Sequence, residues 1–223
     1  MTQKATVISP SILAADAMRL GEEVRSVLDG GAEYIHVDVM DGVFVPNLSF
    51  GVPVVRNMRR MFPDAFLDVH LMITKPGRYI GTFSAAGASL ITVHVEAEEP
   101  EFVGETIAEI RSHGLKAGLA IRPKTPLDEL EPWLPDLSMV LVMTVEPGFG
   151  AQPFMTDQLP RIREVRAQLD RVNPGCDIEV DGGITDQTAP LVREAGANVL
   201  VAGSFIYGKP DRARAIAALR GNI

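Results

Sequence analysis

Three of the four histidines in this 223-residue sequence stand two positions from a carboxylate: His36 with Asp38, Asp68 with His70, and His94 with Glu96. Each pair falls late in a short apolar, β-branched run, and residues i and i+2 of a strand point to one face. Ionisable side chains are rarely buried unless they pair or coordinate. One such pair is explained by a buried hydrogen bond, but three in consecutive strands point to a built site. A further carboxylate, Asp181, ends the run Ile178-Glu179-Val180-Asp181-Gly182-Gly183. His36, Asp38, His70 and Asp181 would together offer two imidazoles and two carboxylates, a borderline-soft donor set suited to Zn²⁺, Fe²⁺, Mn²⁺ or Co²⁺. Spacing alone does not separate His94 and Glu96 from that set. The fourth histidine, His113, precedes Gly114 at a helix end, where the C-terminal dipole accounts for an imidazole.

Glycine-bearing turns supply a second kind of chemistry. Glu146-Pro147-Gly148-Phe149-Gly150-Ala151, Gly182-Gly183 and Gly203-Ser204 each follow an apolar run. Glycine lets the backbone approach a ligand and present N–H groups, and such turns bind anions without a cation. None of the three has an adjacent Lys or Arg, which predicts a neutral amide cradle for a phosphate. Lys75 and Lys124 adjoin prolines in polar loops and read as solvated. Met40, Met72 and Met143 read as apolar filling beside the ionisable pairs. Ser11, between Pro10 and Ile12, has no base nearby in sequence and is a weak nucleophile candidate.

The elements that must position these groups are legible as apolar runs at residues 6–13, 34–40, 65–73, 89–96, 116–122, 139–145, 177–181 and 198–202. Near-continuous apolarity suits parallel strands covered on both faces. Amphipathic helical patterns lie between them, for example at 18–28, 102–111, 158–169 and 211–219, with Gly30-Gly31, Gly87 and Gly196 as stops. Eight βα units close a (β/α)8 TIM barrel, whose chemistry is expected at the C-terminal ends of its strands. No GxGxxG follows the first run, which disfavours an open doubly wound sheet. On a closed barrel, Asp38 and Asp181 would face one central pocket. No linker or low-complexity stretch divides the chain, so residues 1–223 are expected to form one catalytic domain.

Composition bounds the partners. With 21 Lys+Arg against 29 Asp+Glu the net charge is −8, which argues against nucleic acid or an anionic membrane surface. The single cysteine, Cys176, excludes an intramolecular disulfide. No apolar stretch approaches a membrane span, and the N-terminus lacks the pattern of a cleaved leader. A soluble, cytoplasmic protein is expected.

Several segments carry a family resemblance. Ser9-Pro10-Ser11-Ile12-Leu13-Ala14-Ala15-Asp16, His36-Val37-Asp38-Val39-Met40-Asp41-Gly42, Phe44-Val45-Pro46-Asn47-Leu48 and Asp68-Val69-His70-Leu71-Met72 are four of them. Pro147-Gly148-Phe149-Gly150, Val180-Asp181-Gly182-Gly183-Ile184 and Ala202-Gly203-Ser204 complete the series. In order and spacing they resemble ribulose-phosphate 3-epimerases, from about Ser9 to the last helix.

The resemblance implies a (β/α)8 barrel of the ribulose-phosphate-binding type with one divalent metal cation. It implies interconversion of D-ribulose 5-phosphate and D-xylulose 5-phosphate, in the pentose phosphate pathway or carbon fixation. It assigns His36, Asp38, His70 and Asp181 as metal ligands and Asp38 and Asp181 as the acid/base pair. Ser11, His70, Gly148, Phe149, Gly150, Ala151, Asp181, Gly182, Gly183, Gly203 and Ser204 become substrate contacts. Met40, Met72 and Met143 pack beside the reacting carbons, and His94 and Glu96 drop out as ligands. The partner implied is a small ketose phosphate, and the resemblance also implies a homo-oligomer.

Departures from the family pattern are Val43 for histidine, Glu146 and Arg122 for asparagines, and Ala151 for a phosphate-loop glycine. The implied mechanism removes the C3 proton beside a ketone, through a metal-stabilised enediolate, with one aspartate on each face. Alternatives are D-allulose-6-phosphate 3-epimerase, a phosphate-binding barrel decarboxylase, and a non-catalytic sugar-phosphate sensor. Such decarboxylases carry Asp-x-Lys where this chain has Asp68-Val69-His70, and a sensor would be expected to lose an acidic partner.

Overall fold

The structure, a computed structural model, describes residues 4–221. Eight strands form one parallel sheet: β1 (Val7–Pro10), β2 (Tyr34–Met40), β3 (Phe66–Met72), β4 (Leu90–His94), β5 (Lys116–Ile121), β6 (Met139–Met143), β7 (Asp177–Asp181) and β8 (Val199–Ala202). Their order is β1-β8-β7-β6-β5-β4-β3-β2, and a bridge between Ser11 and His36 joins the two ends into a barrel.

Alternation along each strand sorts the side chains. One set, including Ile35, Val37, Leu67, Val69 and Leu71, is fully buried in the shell beneath the helices. Each such side chain contributes roughly 1.5–3 kcal/mol when fully buried, and this shell offsets the cost of placing ionisable groups inside the barrel. The other set fills the lumen. At its base Val7, Tyr34, Phe66, Leu90, Met139 and Val199 make an apolar plug, with the Tyr34 and Phe66 rings stacked 3.9 Å apart. Above the plug the barrel turns polar, carrying Ser9, His36, Asp68 and, from β7, Glu179, then Asp38, His70 and His94, all buried.

The helices are α1 (Leu20–Asp29), α2 (Val52–Met61), α3 (Ile80–Ala86), α4 (Pro100–Ser112), α5 (Leu159–Val172), α6 (Ala189–Ala195), α7 (Ser204–Tyr207) and α8 (Arg212–Arg220). Gly87 and Gly196 end α3 and α6 in the left-handed conformation, at φ +100 and +113. Among the described residues, no helix is long and apolar enough to cross a membrane.

Three expectations are corrected. β1 stops at Pro10, short of residue 13, because the Ser11 side chain accepts from Leu13 N–H and caps a 3-10 turn over Ile12–Ala14. β4 stops at His94, and Glu96 lies in the 3-10 turn Val95–Ala97. After β5 the expected helix is replaced by 3-10 turns at Leu127–Glu129 and Leu134–Asp136. Pro123, Pro126, Pro132 and Pro135 in that connection lack the N–H groups a helix ladder needs.

Candidate active site

Parallel pairing of β2 with β3 sets His36 beside Asp68, Asp38 beside His70, and Met40 beside Met72. The two sequence pairs therefore interleave. His36 Nδ1 lies 2.6 Å from Asp68 Oδ2, which leaves its Nε2 aimed at Asp38 Oδ1, 3.3 Å away. His70 Nδ1 lies 3.2 Å from the same Asp38 oxygen and 4.0 Å from Asp181 Oδ2. Ser11 Oγ donates to the other Asp38 oxygen at 2.5 Å, so the base missing from its sequence neighbourhood is supplied from β2.

One donor atom each from His36, Asp38, His70 and Asp181 falls within 4.8 Å of all the others. His36 Nε2 is buried and, among the described residues, has no hydrogen-bond partner. An orphaned imidazole nitrogen facing two carboxylates and a second imidazole is a fitting donor set for a divalent cation. The Asp68 contact on the far side of His36 supplies the outer support such ligands need.

The electrostatics divide the two aspartates. Burial opposes ionisation of Asp38, but the His36 and His70 imidazoles hold it well below the usual carboxylate range. Burial, followed by the Asp38 charge, pushes Asp181 up to about 7. Burial likewise draws His70 down to about 4. For His36 burial favours the neutral ring, yet Asp68 and Asp38 raise it well above the ordinary histidine value. Two carboxylates with opposite proton preferences are the pattern of a base facing an acid.

Above this cluster opens a cavity of about 730 Å³. Ser11, Asp38 and Asp181 form its floor with Met40, Met72 and Met143, while Gly148, Phe149, Gly150, Ala151, Gly182, Gly183, Gly203 and Ser204 line it from the loops after β6, β7 and β8. His36 and His70 are fully buried. Gly183 sits at φ +67, and a Cβ there would come within 2.5 Å of Phe154 N. Ala151 occupies the left-handed region at φ +57, where glycine is unstrained and alanine is not. Among the described residues, no Lys or Arg lines the cavity. Lys75 is exposed, and Lys124 is exposed beside Glu146.

Other contributors were not singled out by sequence. Asn47 Nδ2 donates to Gly148 O at 2.8 Å, Thr144 Oγ1 donates to Gly182 O at 2.7 Å, and Gln152 donates to the carbonyls of Glu146 and Phe149. Glu179 is buried against His36 and Asp68, and burial together with the Asp68 charge pushes its carboxyl well above the usual carboxylate range. Its signal was available, since it precedes Asp181 by the same two-residue step that links the other pairs. His94 and Glu96 stand outside the four-donor cluster, with His94 Nε2 2.8 Å from His70 Nε2.

Comparisons with known proteins place the chain in a family. A family model described as "Ribulose-phosphate 3 epimerase family" matches residues 7–207. A protein of Bacillus subtilis (strain 168) named ribulose-phosphate 3-epimerase is 49% identical over 216 residues, 96% of this chain and 98% of its own length. One of the same name from Synechocystis sp. is 47% identical, over 98% of this chain and 95% of its own. Among solved structures, 3-keto-L-gulonate-6-phosphate decarboxylase from Vibrio cholerae is similar with a TM-score of 0.72 at 17% identity, covering 98% of this chain and 97% of that one. At that identity the likeness is one of fold.

Proposed function

The chain belongs to the ribulose-phosphate 3-epimerase family and is an epimerase, and from that premise we propose that Asp38 and Asp181 are its two acid/base groups. The substrate is D-ribulose 5-phosphate, converted reversibly to D-xylulose 5-phosphate. The observation that carries this reading is the shared four-donor cluster, to which β2 and β7 each bring one aspartate at the cavity floor. His36, Asp38, His70 and Asp181 would hold one divalent cation. Such a cation supplies positive charge that offsets the negative charge left on the sugar when a proton leaves C3.

Asp38, held ionised, takes the C3 proton, and the electron pair of the C–H bond moves toward the C2 carbonyl oxygen. Asp181 returns a proton to C3 from the other face of the planar intermediate, and the back reaction exchanges the roles. The Ser11 hydroxyl donates to Asp38 Oδ2 and so fixes the orientation of the carboxylate. Met40, Met72 and Met143 fill the floor with groups that exclude water and exchange no protons. Backbone N–H groups of Gly182, Gly183, Gly203, Ser204 and the 148–151 loop cradle the phosphate. The same reading carries a homo-oligomeric enzyme in the cytoplasm.

Turnover of D-ribulose 5-phosphate in D₂O, followed by NMR, tests the proposal. Deuterium should enter C3 as the xylulose signals appear. Asp38→Asn and Asp181→Asn should each lower turnover by at least ~10²–10⁴-fold. Full turnover by either variant, or by protein stripped of divalent cations, would sink the scheme.

A further inference from the structure

The two histidines of the cluster face it with different nitrogens. His36 presents Nε2 because Asp68 occupies its Nδ1 at 2.6 Å, whereas His70 presents Nδ1, 3.2 Å from Asp38. The remaining nitrogen of His70, Nε2, lies 2.8 Å from Nε2 of His94. A contact that short holds one proton, since two would clash and none would set lone pair against lone pair.

Which ring carries the proton is decided one residue further out. His94 Nδ1 lies 3.1 Å from Glu96 Oε2, and an ionised carboxylate only accepts. His94 therefore keeps its own proton on Nδ1, and a neutral His94 has its lone pair at Nε2. Asp38 Oδ1, 3.2 Å from His70 Nδ1, draws the proton the other way, but that carboxylate is already served by the Ser11 hydroxyl. The Glu96 relay therefore assigns the shared proton to His70 Nε2, which leaves His70 Nδ1 with a lone pair directed at Asp38 and Asp181. Glu96 is itself held, because its Oε1 accepts the Arg122 backbone N–H at 2.8 Å. The Arg122 guanidinium lies 4.1 Å over the Phe44 ring and donates to the Phe44 carbonyl. Phe44 in turn lies 5.0 Å from the His94 ring.

We propose that His94 and Glu96 are positioning residues that lock His70 in the tautomer whose Nδ1 can take a cation. The proposal rests on the cation site described above, and neither residue lines the substrate cavity. Ligating histidines are commonly fixed through their other ring nitrogen, and loss of that support costs roughly 10–100-fold in metal affinity. Here the support runs through a second imidazole before it reaches a carboxylate.

Two readouts test it. In protein free of metal, ¹⁵N NMR of the histidine rings should find the His70 proton on Nε2. Glu96→Gln, whose amide can accept from or donate to His94 Nδ1, should produce both His70 tautomers. Co²⁺ affinity, measured by chelator competition, should fall by roughly 10–100-fold in His94→Leu. His94→Gln keeps a carbonyl acceptor for His70 Nε2–H and should retain most of the affinity. The lock is overturned if His70 carries its proton on Nδ1 in the unaltered protein, or if Glu96→Gln leaves one tautomer. It is also overturned if folded His94→Leu binds Co²⁺ undiminished, or if His94→Gln loses as much as His94→Leu. Should His94→Leu not fold, the Glu96→Gln spectrum decides. An unaltered protein that binds no divalent cation would defeat the cation site itself, and the tautomer measurement would still stand as the test of the lock.

Discussion

Asp181 and His36 are both shifted toward their protonated forms, so a cation bound at the cluster would have to displace protons from them. Burial and the Asp38 charge place Asp181 at about 7, and Asp68 and Asp38 overcome burial to hold His36 well above its ordinary value. Ligation needs both groups deprotonated. Cation binding at pH 6 should therefore release more protons than at pH 8, where most of the Asp181 proton has already gone. Titration calorimetry in buffers of different ionisation enthalpy counts them, and equal counts at the two values would contradict the assignment. The sign for stability follows from the same shifts. A carboxyl raised in the folded state stabilises it below the unfolded value and loses that contribution as pH rises through about 7. The Asp181 share of the melting temperature of chelated protein, read as the difference between the unaltered protein and Asp181→Asn at each pH, should therefore fall between pH 5 and 8, and a bound divalent cation should remove most of the decline.

The loop after β6 shows how an element can be shaped for a ligand at some cost to itself. Ala151 stands at φ +57, in a region that costs an L-residue roughly 1–2 kcal/mol. Replacing it with glycine removes that strain but adds about 0.4–1 kcal/mol of unfolded-chain entropy. Ala151→Gly should thus leave the melting temperature unchanged or slightly raised, and should lower KM for the sugar phosphate by easing the loop onto it; a higher KM would mean that the alanine is the better fit. The residue type at 151 was legible in the sequence, but its conformation was not. Local hydrogen bonding explains similar limits elsewhere: an apolar run ran past Pro10, yet the Ser11 hydroxyl turned the chain aside after one more residue. The prolines after β5 were equally visible and were outweighed by the expectation of regular alternation. Eight strands were legible because their apolar runs are buried on both faces, and the last residues of β2, β7 and β8 were legible with them; β1 and β4 end earlier than their apolar runs because 3-10 turns follow Pro10 and His94.

At the scale of the molecule, barrel closure turns separate two-residue patterns into one site, and this step is only partly readable from a linear chain. His36, Asp38, His70 and Asp181 could be nominated from spacing, but the orientation of each ring depends on Asp68, His94 and Glu179, brought in from neighbouring strands. The summed charge is also a property of the whole. The chain carries −8, the substrate is a phosphate anion, and among the described residues no Lys or Arg lines the cavity. Long-range electrostatics therefore repel the substrate, and the proposed backbone-amide cradle would act on it only at short range. Salt screens the repulsion over a Debye length of about 10 Å at 0.1 M, while the amide contacts inside the cavity are little affected. Between 10 and 150 mM of an inert salt such as potassium chloride, kcat/KM should rise by up to a few-fold, mainly through KM. A cation-lined pocket would respond in the opposite sense, so a fall in kcat/KM with added salt would show that basic side chains hold the phosphate after all.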